Sequence, residues 1–406
     1  MKSVSSVVQK LSVLSPNPAW ASLPLFDHRG WKRMAFGDFA ESIAKRAEPK
    51  DAQEEIYVGL EHLDPQCLHI RRWGKGSDVI GGKLRFRKGD IIFGKRRAYQ
   101  RKLAVAEFDG ICSAHAMVVR ARPDKVLPEF LPFLMMSDRF MNRAVEISVG
   151  SLSPTINWTT LKLEEFDLPP LDQQRRIAEI LWAVDETVRK TSEVSNCIEF
   201  LPQNFADHVT GLKRLGRTRI QTKTLGEVAD VIDCKHRTPK PAEAGIPVIS
   251  PGTIKWGPLD LSPCKFTSES EYQSLMDHCE VREWDMVMGR NQTFGILGVV
   301  QAGQQFVLGQ DTVLIQPKTL NGQYIYLAMK SSYLRSQIDQ LCIGSTFKRI
   351  NLKDIRNLNI PLADAAMQNE AAMRVEQHYR LSEASRTNTL ALEALRTAML
   401  NEIFRR

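Results

Sequence analysis

The sequence predicts a mixed α/β protein that is a tandem duplication, with two similar globular halves and a long helix after each half. Three observations lead to this prediction. Segments of the first half recur in the second half, strands and helices follow in the same order in both, and each half ends in a long pattern with coiled-coil spacing. A chain of 406 residues is long enough for two or three domains.

The internal repeat consists of three pairs of segments that keep the same order. The pairs are 130–157 with 324–351, 36–43 with 225–232, and 88–96 with 283–291. The longest pair is offset by 194 positions and contains six identities in 28 positions, and the offset of the other pairs differs by only a few residues. We therefore infer a duplication with halves at about 1–215 and 216–406.

Each half has the same predicted elements. Short strands that end at a glycine come first, followed by a helix of about 15 residues, a Gly-Ser loop and a short segment that ends in proline. In the two halves these segments are strands 90–93 and 285–288, helices 128–146 and 322–340, loops 150–151 and 344–345, and proline segments 168–171 and 360–362.

The long helices carry residues in alternating steps of three and four, which is the a/d spacing of a coiled coil. The two series are Ile177, Leu181, Val184, Val188, Thr191, Ser195 and Ile198, and Leu381, Ser385, Asn388, Leu392, Leu395 and Met399. We expect the helices to pack as an antiparallel coiled coil that gives pseudo-two-fold symmetry, although two ordinary core helices are the alternative. The predicted domains are 1–170, a central helical region 171–215, 216–362, and a C-terminal helical region 363–406.

Basic residues are concentrated in one stretch of the first half. The chain has a net charge of +8, whereas residues 71–102 contain 12 Lys and Arg against two acids and also carry Trp73 and Tyr99. Basic side chains interleaved with aromatic rings suit phosphate contacts and stacking on bases. The stretch therefore favours nucleic-acid binding over a solvated basic face, since soluble surfaces usually mix charges of both signs.

The sequence offers no catalytic motif. Gly89–Lys95 fits most of a phosphate-binding loop, but Arg96 stands where Ser or Thr would hold magnesium, and a strand separates the two glycines. HExxH and GxGxxG are missing from the sequence, and His278 between Asp277 and Cys279 is interpreted as a surface residue. We expect a non-catalytic chain that binds no metal or cofactor.

The cysteine pattern and the hydropathy bear on where the protein works. Seven cysteines without a CxxC pair are typical of reduced thiols in the cytoplasm. We also find no apolar run of 18 residues, which a membrane-spanning helix needs, and no signal peptide at the N-terminus. The sequence therefore predicts a cytoplasmic protein with no membrane partner.

The stretch Leu168-Pro-Pro-Leu-Asp-Gln-Gln-Arg-Arg-Ile-Ala-Glu-Ile-Leu181 carries a family resemblance. It resembles the P-P-L-x-x-Q-x-x-I-A-x-x-L run of the DNA-specificity subunits of type I restriction-modification systems. The Gly-Asp-Ile-Ile-Phe-Gly-Lys strand end and the Gly-Ser-x-x-x-x-Ile-Asn loops of both halves are also similar to the family, so that the resemblance covers essentially the whole chain. One departure is the second proline segment, which has Gln368 but no Ile-Ala after it.

The resemblance implies that each globular half is a target-recognition domain that reads one part of a split, asymmetric DNA site. It also implies that the helices act as a spacer and as the docking surface for two methyltransferase (M) subunits. Motor-nuclease (R) subunits would join to complete the restriction enzyme of a phage-defence system. S-adenosylmethionine, ATP and magnesium would be bound by these partners, and none of them by this chain.

We predict DNA-binding residues in both halves from residue type and position. Arginine can pair with guanine through its fork, whereas asparagine and glutamine suit adenine and lysine more often meets phosphate. The candidates in the first half are Arg71, Arg72, Lys75, Arg85, Arg87, Lys95, Arg96, Arg97, Tyr99 and Arg101. Those in the second half are Lys235, His236, Arg237, Lys240, Arg290, Asn291 and Gln292, with Lys348 and Arg349 as phosphate contacts.

The first long helix sets an expected scale for the DNA site. An uninterrupted helix over 172–201 has about 30 residues and spans about 45 Å, compared with about 34–36 Å for one turn of DNA. We therefore expect two short specific parts separated by an unread gap. The alternatives that remain open are a single-methyltransferase or methylation-only system, an RNA-binding or coiled-coil scaffold protein, and an enzyme that acts alone.

Overall fold

The structure is a computed structural model that describes residues 23–48, 52, 55–199, 203–210, 221–293, 295–341 and 349–405. The chain divides into two compact units. Unit 1 consists of Met1–Val194 and Arg386–Arg406, and unit 2 consists of Ser195–Ser385. Each unit therefore contains part of both long helices, whereas the domain boundaries predicted from the sequence separate the helices from the globular parts and stay a prediction. The predicted junction around Gly216 lies outside the described residues.

Unit 1 begins with short strands and ends in helices. Its strands are β1 (Lys32–Ala35), β2 (Ala40–Ser42), β3 (Arg46–Ala47), β4 (Ile56–Val58), β5 (Gly74–Lys75), β6 (Lys83–Phe86), β7 (Ile91–Phe93), β8 (Leu103–Val105), β9 (Gly110–Cys112), β10 (Met117–Ala121) and β11 (Glu165–Leu168). Its helices are α1 (Phe36–Phe39), α2 (Leu131–Met136), α3 (Asp138–Glu146), α4 (Trp158–Leu161) and the first long helix α5 (Leu171–Glu199), most of which belongs to this unit.

Unit 2 repeats this order. Its strands are β12 (Thr222–Thr224), β13 (Ala229–Asp233), β14 (Ile246–Ile249), β15 (Gly257–Pro258), β16 (Lys265–Thr267), β17 (Met286–Gly289), β18 (Leu297–Val299), β19 (Val307–Leu308), β20 (Thr312–Pro317) and β21 (Asn359–Pro361). Its helices are α6 (Gln203–Val209), α7 (Leu225–Val228), α8 (Glu269–Met276), α9 (Gly322–Lys330), α10 (Ser332–Leu341), α11 (Leu352–Arg356) and the second long helix α12 (Ala365–Ile403), which ends in unit 1.

Within the described residues, each unit has three sheets of corresponding topology. Unit 1 has the orders β2-β10-β7-β8, β3-β6-β9-β4-β5 and β1-β11, and unit 2 has the orders β13-β20-β17-β18-β15, β16-β14-β19 and β12-β21. The pairs β4–β9 and β14–β19 are parallel in a mostly antiparallel framework. This mixed α/β architecture and its repetition are the ones that the sequence predicts.

The central strand of each main sheet is buried on both faces. In β7, Ile91 and Phe93 pack into the helical core of unit 1, while Ile92 between them packs into a second cluster toward the other sheet. In β17, Met286 and Met288 face the helical core, and Val287 lies in the second cluster. Because successive side chains of a strand point to opposite faces, two-sided burial requires a continuous apolar run, and these two segments have one.

The helix predicted near 128–146, and its counterpart near 322–340, are each two helices. Ser137 separates α2 from α3 with an extended backbone, and Ser331 separates α9 from α10 in the same way. Each serine hydroxyl donates to a carbonyl of the preceding helix at 2.6 Å and accepts from the first turn of the next one. Serine favours such capping positions, which explains why the prediction of one continuous helix is wrong.

Both long helices begin with the same glutamine contacts. The side chain of Gln174 accepts from the Leu127 amide at 2.8 Å and donates to the carbonyls of Lys125 and Pro169. The side chain of Gln368 accepts from the Asn321 amide at 2.9 Å and donates to a carbonyl at 3.2 Å in the segment before its helix. The second proline segment therefore keeps the structural role of the first, although its sequence has diverged.

The described part of the first long helix follows its predicted seam, but that of the second does not. Ile177, Leu181 and Val188 are buried on α5. On α12, Leu381 and Asn388 are exposed, which contradicts the predicted series. The reason is that α12 contributes to two cores: its start provides buried residues to unit 2, and its end provides Leu400 and Ile403, followed by Phe404, to unit 1.

A buried ion pair fastens the end of α12 within unit 1. Arg396 pairs with Asp185 on α5, and both side chains are more than nine-tenths buried. Arg396 also donates to the carbonyl of Gln66 at 2.9 Å, and the second oxygen of Asp185 contacts Nε2 of His69 at 3.0 Å. None of the helices in the described parts of the chain has the length and apolar character needed to cross a membrane.

Candidate nucleic-acid interface

The basic triplet Lys95–Arg97 follows β7 and meets the Gly-Ser loop of unit 1. The amide of Ile156 donates to the Lys95 carbonyl at 3.0 Å, and the Arg97 amide donates to the Pro154 carbonyl at 2.8 Å. Arg97 has φ near +60°, a left-handed conformation that turns the chain sharply at the end of the strand. The fold thus brings together two of the segments that the sequence repeat identifies.

This corner of unit 1 has an unbalanced positive charge. Within the described residues, Lys95, Arg96 and Arg97 form no ion pair with a carboxylate. The Arg96 guanidinium contacts Nε2 of His115 at 3.2 Å and donates to Oγ of Ser153 at 3.4 Å. Burial and the neighbouring cations Arg96 and Lys95 lower the pKa of His115, which favours the neutral ring and leaves the positive charge of this corner uncompensated.

The five-stranded sheet of unit 1 and the segments next to its strands carry a second group of candidates. Arg72 pairs with Asp64, and Arg85 on β6 pairs with Glu55 at 2.7 Å. The remaining three, Arg71, Lys75 and Arg87, are exposed. Trp73 lies among them with about half of its surface exposed and its ring edge against Phe108. The sheet therefore presents cations and one aromatic face to solvent.

Tyr99 and Arg101 differ in their surroundings. Tyr99 is 54% exposed, which leaves its ring available for a ligand. Arg101 has φ near +53° and binds inward, to the carbonyl of Met136 at the end of α2 and the carboxylate of Asp138 at the start of α3. This arginine thus supports the fold of the loop and is not a free cation.

In unit 2, acids bind the first two residues that follow β17. Arg290 is buried and donates to both carboxylate oxygens of Asp233, at 2.8 and 3.0 Å. Asn291 donates to one oxygen of Asp311 at 2.8 Å, and Arg349 pairs with the other at 2.7 Å. Asn291 and Arg349 also form an isolated β-bridge, which repeats the bridge between Arg96 and Thr155 in unit 1.

Two of the cations at 235–240 are neutralised in the same way. Lys235 pairs with Asp277, whose pKa is lowered chiefly by this hydrogen bond, and Arg237 pairs with Glu271, whose pKa is lowered for the same reason. His236 lies 3.2 Å from the Asp233 carboxylate. Lys240 is exposed, and its backbone amide donates to Glu271.

Gln292 is the remaining candidate of unit 2 among the described residues. It is exposed, has φ near +53° and corresponds in the repeat to Arg97, which has the same left-handed conformation. Lys348 lies outside the described residues. In both units, a residue after the central strand thus forms a bridge to a downstream residue, Thr155 in unit 1 and Arg349 in unit 2. Unit 1 offers free cations there, whereas unit 2 offers an amide side chain beside compensated charges. The second predicted Gly-Ser loop, at 344–345, lies outside the described residues.

Sequence reasoning missed two groups that shape this interface. It did not identify the four acids that neutralise cations of unit 2, because most of them are distant in sequence from the cations they bind. These acids are Asp233, Glu271, Asp277 and Asp311. It also missed the residues of the Gly-Ser loop at 149–155, although the repeat marked the loop as a shared feature. Their proximity to Lys95–Arg97 arises only from the fold.

The side chains that resembled catalytic groups lack the required environment. Cys279 lies 3.9 Å from Nε2 of His278, but burial raises the pKa of its thiol to about 11, so the thiol stays protonated near neutral pH. In the parts of the chain that the structure describes, no three His, Cys, Asp or Glu residues are grouped as a metal site would require. Strand β7 separates the two glycines of the phosphate-loop pattern.

Comparison with known proteins identifies the family. A family model described as the type I restriction modification DNA specificity domain matches residues 28–199 and again residues 218–394. Since the two matches cover most of the chain, the protein belongs to this family, and the resemblance inferred from the proline segment is confirmed. The repeated match also agrees with the duplication.

Individual proteins give the same result. The chain is similar to the type I restriction enzyme EcoDI specificity subunit of Escherichia coli, with 31% identity over 180 residues, or 41% of this chain and 38% of that subunit. A putative type I restriction enzyme MjaX specificity subunit of Methanocaldococcus jannaschii is 22% identical over 91% of this chain and 92% of its own. The chain thus spans less than two thirds of the first subunit and nearly all of the second.

A solved structure supports the fold. The type I restriction-modification S subunit from M. genitalium matches with a TM-score of 0.54 over 92% of this chain and 96% of that chain, at 14% identity. Specificity subunits are the non-catalytic components of type I complexes, so the family assignment confirms the prediction that this chain is not itself the enzyme. The individual DNA-binding residues stay predictions.

Proposed function

We propose that this chain recognises a bipartite, asymmetric DNA site and directs adenine methylation and cleavage by partner subunits. One observation carries the proposal: both units build the same junction after the central strand, through the Arg96–Thr155 and Asn291–Arg349 bridges, but they equip it with different side chains. A repeated frame with diverged side chains is what two readers of unlike half-sites require.

The side chains at the two junctions suit different base edges. In unit 1, Arg96 and Arg97 offer forked donors that match the acceptors of guanine, with Lys95 as a phosphate contact. In unit 2, Asn291 and Gln292 match the donor and acceptor of adenine. The exposed Arg71, Lys75, Arg87 and Lys240, with Tyr99, are proposed to hold the DNA backbone. Where a cation is paired with a carboxylate in the free protein, a phosphate oxygen can take the place of that carboxylate.

The long helices are proposed to bind the partner subunits. Ile180 and Val194 on α5 and Met373 and Leu381 on α12 are exposed apolar residues that a docked protein would cover. In agreement with the family resemblance, we assign them to two methyltransferase subunits, with motor-nuclease subunits completing the complex. These partners bind S-adenosylmethionine, ATP and magnesium. We place the complex in the cytoplasm, where the free thiols of the six described cysteines are stable.

A selection experiment tests the proposal and identifies the DNA site in one step. The full chain is expressed with its neighbouring methyltransferase, and the purified complex selects ligands from a pool of random 40-base-pair duplexes mixed with single-stranded RNA of the same length. We expect enrichment of duplexes with two short specific parts and a fixed gap. Enrichment of RNA, or of duplexes without a common sequence, would contradict the proposal and favour an RNA-binding or scaffold protein.

A matched pair of variants links the selected site to the structure. Replacing Arg96 with glutamine is expected to relax the sequence at one part of the site, and replacing Gln292 with alanine is expected to relax the other part, because each residue belongs to a different unit. Both variants retain the backbone contacts of the junction. Relaxation of the same part by both would contradict the assignment of one half-site to each unit.

A further inference from the structure

The Gly-Ser loop of unit 1 is closed by hydrogen bonds between its two ends. The amide of Val149 donates to the Thr155 carbonyl at 3.1 Å, and the Thr155 amide donates back to Val149 at 2.9 Å. Within the loop, Gly150 has φ near +118°, and the hydroxyl of Thr155 donates to the Ser153 carbonyl at 3.1 Å. These bonds fix the five residues between the two ends of the loop.

The same loop is fastened to the free cations after β7. Pro154 accepts the amide of Arg97, Ser153 accepts the guanidinium of Arg96, and Ile156 donates to the carbonyl of Lys95. The loop and the triplet Lys95–Arg97 are thus one element, and a ligand that contacts one of them meets the other.

An apolar side chain stands at the tip of this element. Leu152 is 92% exposed, and Val149 at the base of the loop is 71% exposed. Single exposed apolar residues are common on protein surfaces. Leu152 differs because its backbone is fixed beside three cations that bind no carboxylate among the described residues. The element therefore combines an exposed apolar side chain with neighbouring positive charges.

We propose that Leu152 inserts as an apolar wedge between neighbouring base pairs at the half-site read by unit 1, while Lys95 binds a flanking phosphate and Arg96 and Arg97 contact the base edges beside that step. The inference rests on the proposed function and adds a deformation of the DNA to it. Proteins that insert leucine or another apolar side chain in this way unstack a base step and kink the duplex. The surrounding positive charge favours a polyanion over an apolar protein surface as the partner of Leu152.

Base unstacking provides the test. The complex of the full chain with its methyltransferase is bound to the selected duplex, in which 2-aminopurine replaces one base at a time across the half-site read by unit 1. The methylated adenine is left unlabelled, because methyltransferases flip that base themselves. The variants are Leu152→Ala, Leu152→Met and, as the control, Leu163→Ala, which truncates another exposed leucine of unit 1.

Binding of the wild-type complex is expected to raise the 2-aminopurine fluorescence at one base step. Leu152→Ala should abolish this rise and weaken specific binding about tenfold, because burial of a leucine side chain accounts for at least this factor. Leu152→Met keeps an apolar wedge and retains the signal, and Leu163→Ala behaves as wild type. Each of two results overturns the inference: an unchanged signal and affinity in Leu152→Ala, or loss of complex assembly in that variant, which makes Leu152 a protein contact. Failure of the wild-type complex to bind a specific duplex rejects the proposed function itself.

Discussion

Removing the guanidinium of Arg396 tests whether the end of the chain completes unit 1. Arg396 and Asp185 are 8% and 2% exposed, and Arg396→Met leaves Asp185 with only the imidazole of His69 at 3.0 Å. Breaking a buried pair by removing one partner costs about 3–5 kcal/mol. Because His69 compensates in part, we expect the free energy of unfolding to fall by about 3 kcal/mol, the lower end of that range.

Chemical denaturation measures this loss. Trp182 on α5 lies against Phe133 and near His69, so its fluorescence reports the unfolding of unit 1. A loss of about 3 kcal/mol also lowers Tm by about 6–12 °C for a unit of this size. The control is Arg380→Met on the same helix, where an exposed pair with Glu376 predicts a change below about 0.5 kcal/mol. A loss under about 1 kcal/mol in Arg396→Met would refute the reasoning.

Three further predictions concern pH, salt and helix length. The hydrogen bond to Asp185 raises the pKa of His69, so this contact stabilises unit 1 fully below the unfolded pKa near 6.5, and the stabilisation is lost as pH rises through the raised pKa. In unfolding titrations, His69→Gln should therefore flatten the decline of stability with rising pH. Identical pH profiles of the two proteins would rule out this role of His69. Arg97→Gln should lower the slope of the logarithm of DNA affinity against the logarithm of salt concentration by about one. Arg237→Gln should lower this slope by clearly less, because Arg237 is already paired with Glu271. Equal changes in the two variants would contradict the difference between free cations in unit 1 and paired cations in unit 2. A four-residue insertion in α5 lengthens the helix by about 6 Å and should therefore change the gap of the methylated motif by about two base pairs, and an unchanged gap would reject the spacer role.

The fold was accessible from sequence where local patterns determine it. Two-sided burial makes the central strands continuous apolar runs, and the repeat fixes their order, so β7 and β17 were predicted correctly. The breaks at Ser137 and Ser331 were not predicted, because an apolar period continues across a single capping residue. The shared role of Gln174 and Gln368 became visible only through the backbone groups that they bind.

The candidate interface was predictable as a set of segments but not as a charge distribution. The sequence shows where cations lie, and unit 1 presents most of them free. In unit 2 the pairing acids come from other strands and helices: Arg237 binds Glu271 on α8, and Arg290 binds Asp233 at the end of β13. Such pairs depend on tertiary contacts that residue type does not reveal.

Methylation sequencing of a host genome tests the central claim most directly. A host that carries this gene with its neighbouring methyltransferase gene is compared with the same host after deletion of this gene alone. The account predicts methyl-adenine at one split, asymmetric motif that disappears in the deletion strain and returns when the gene is restored. A motif that persists without this gene, or the absence of any motif that depends on it, would contradict a role in DNA specificity.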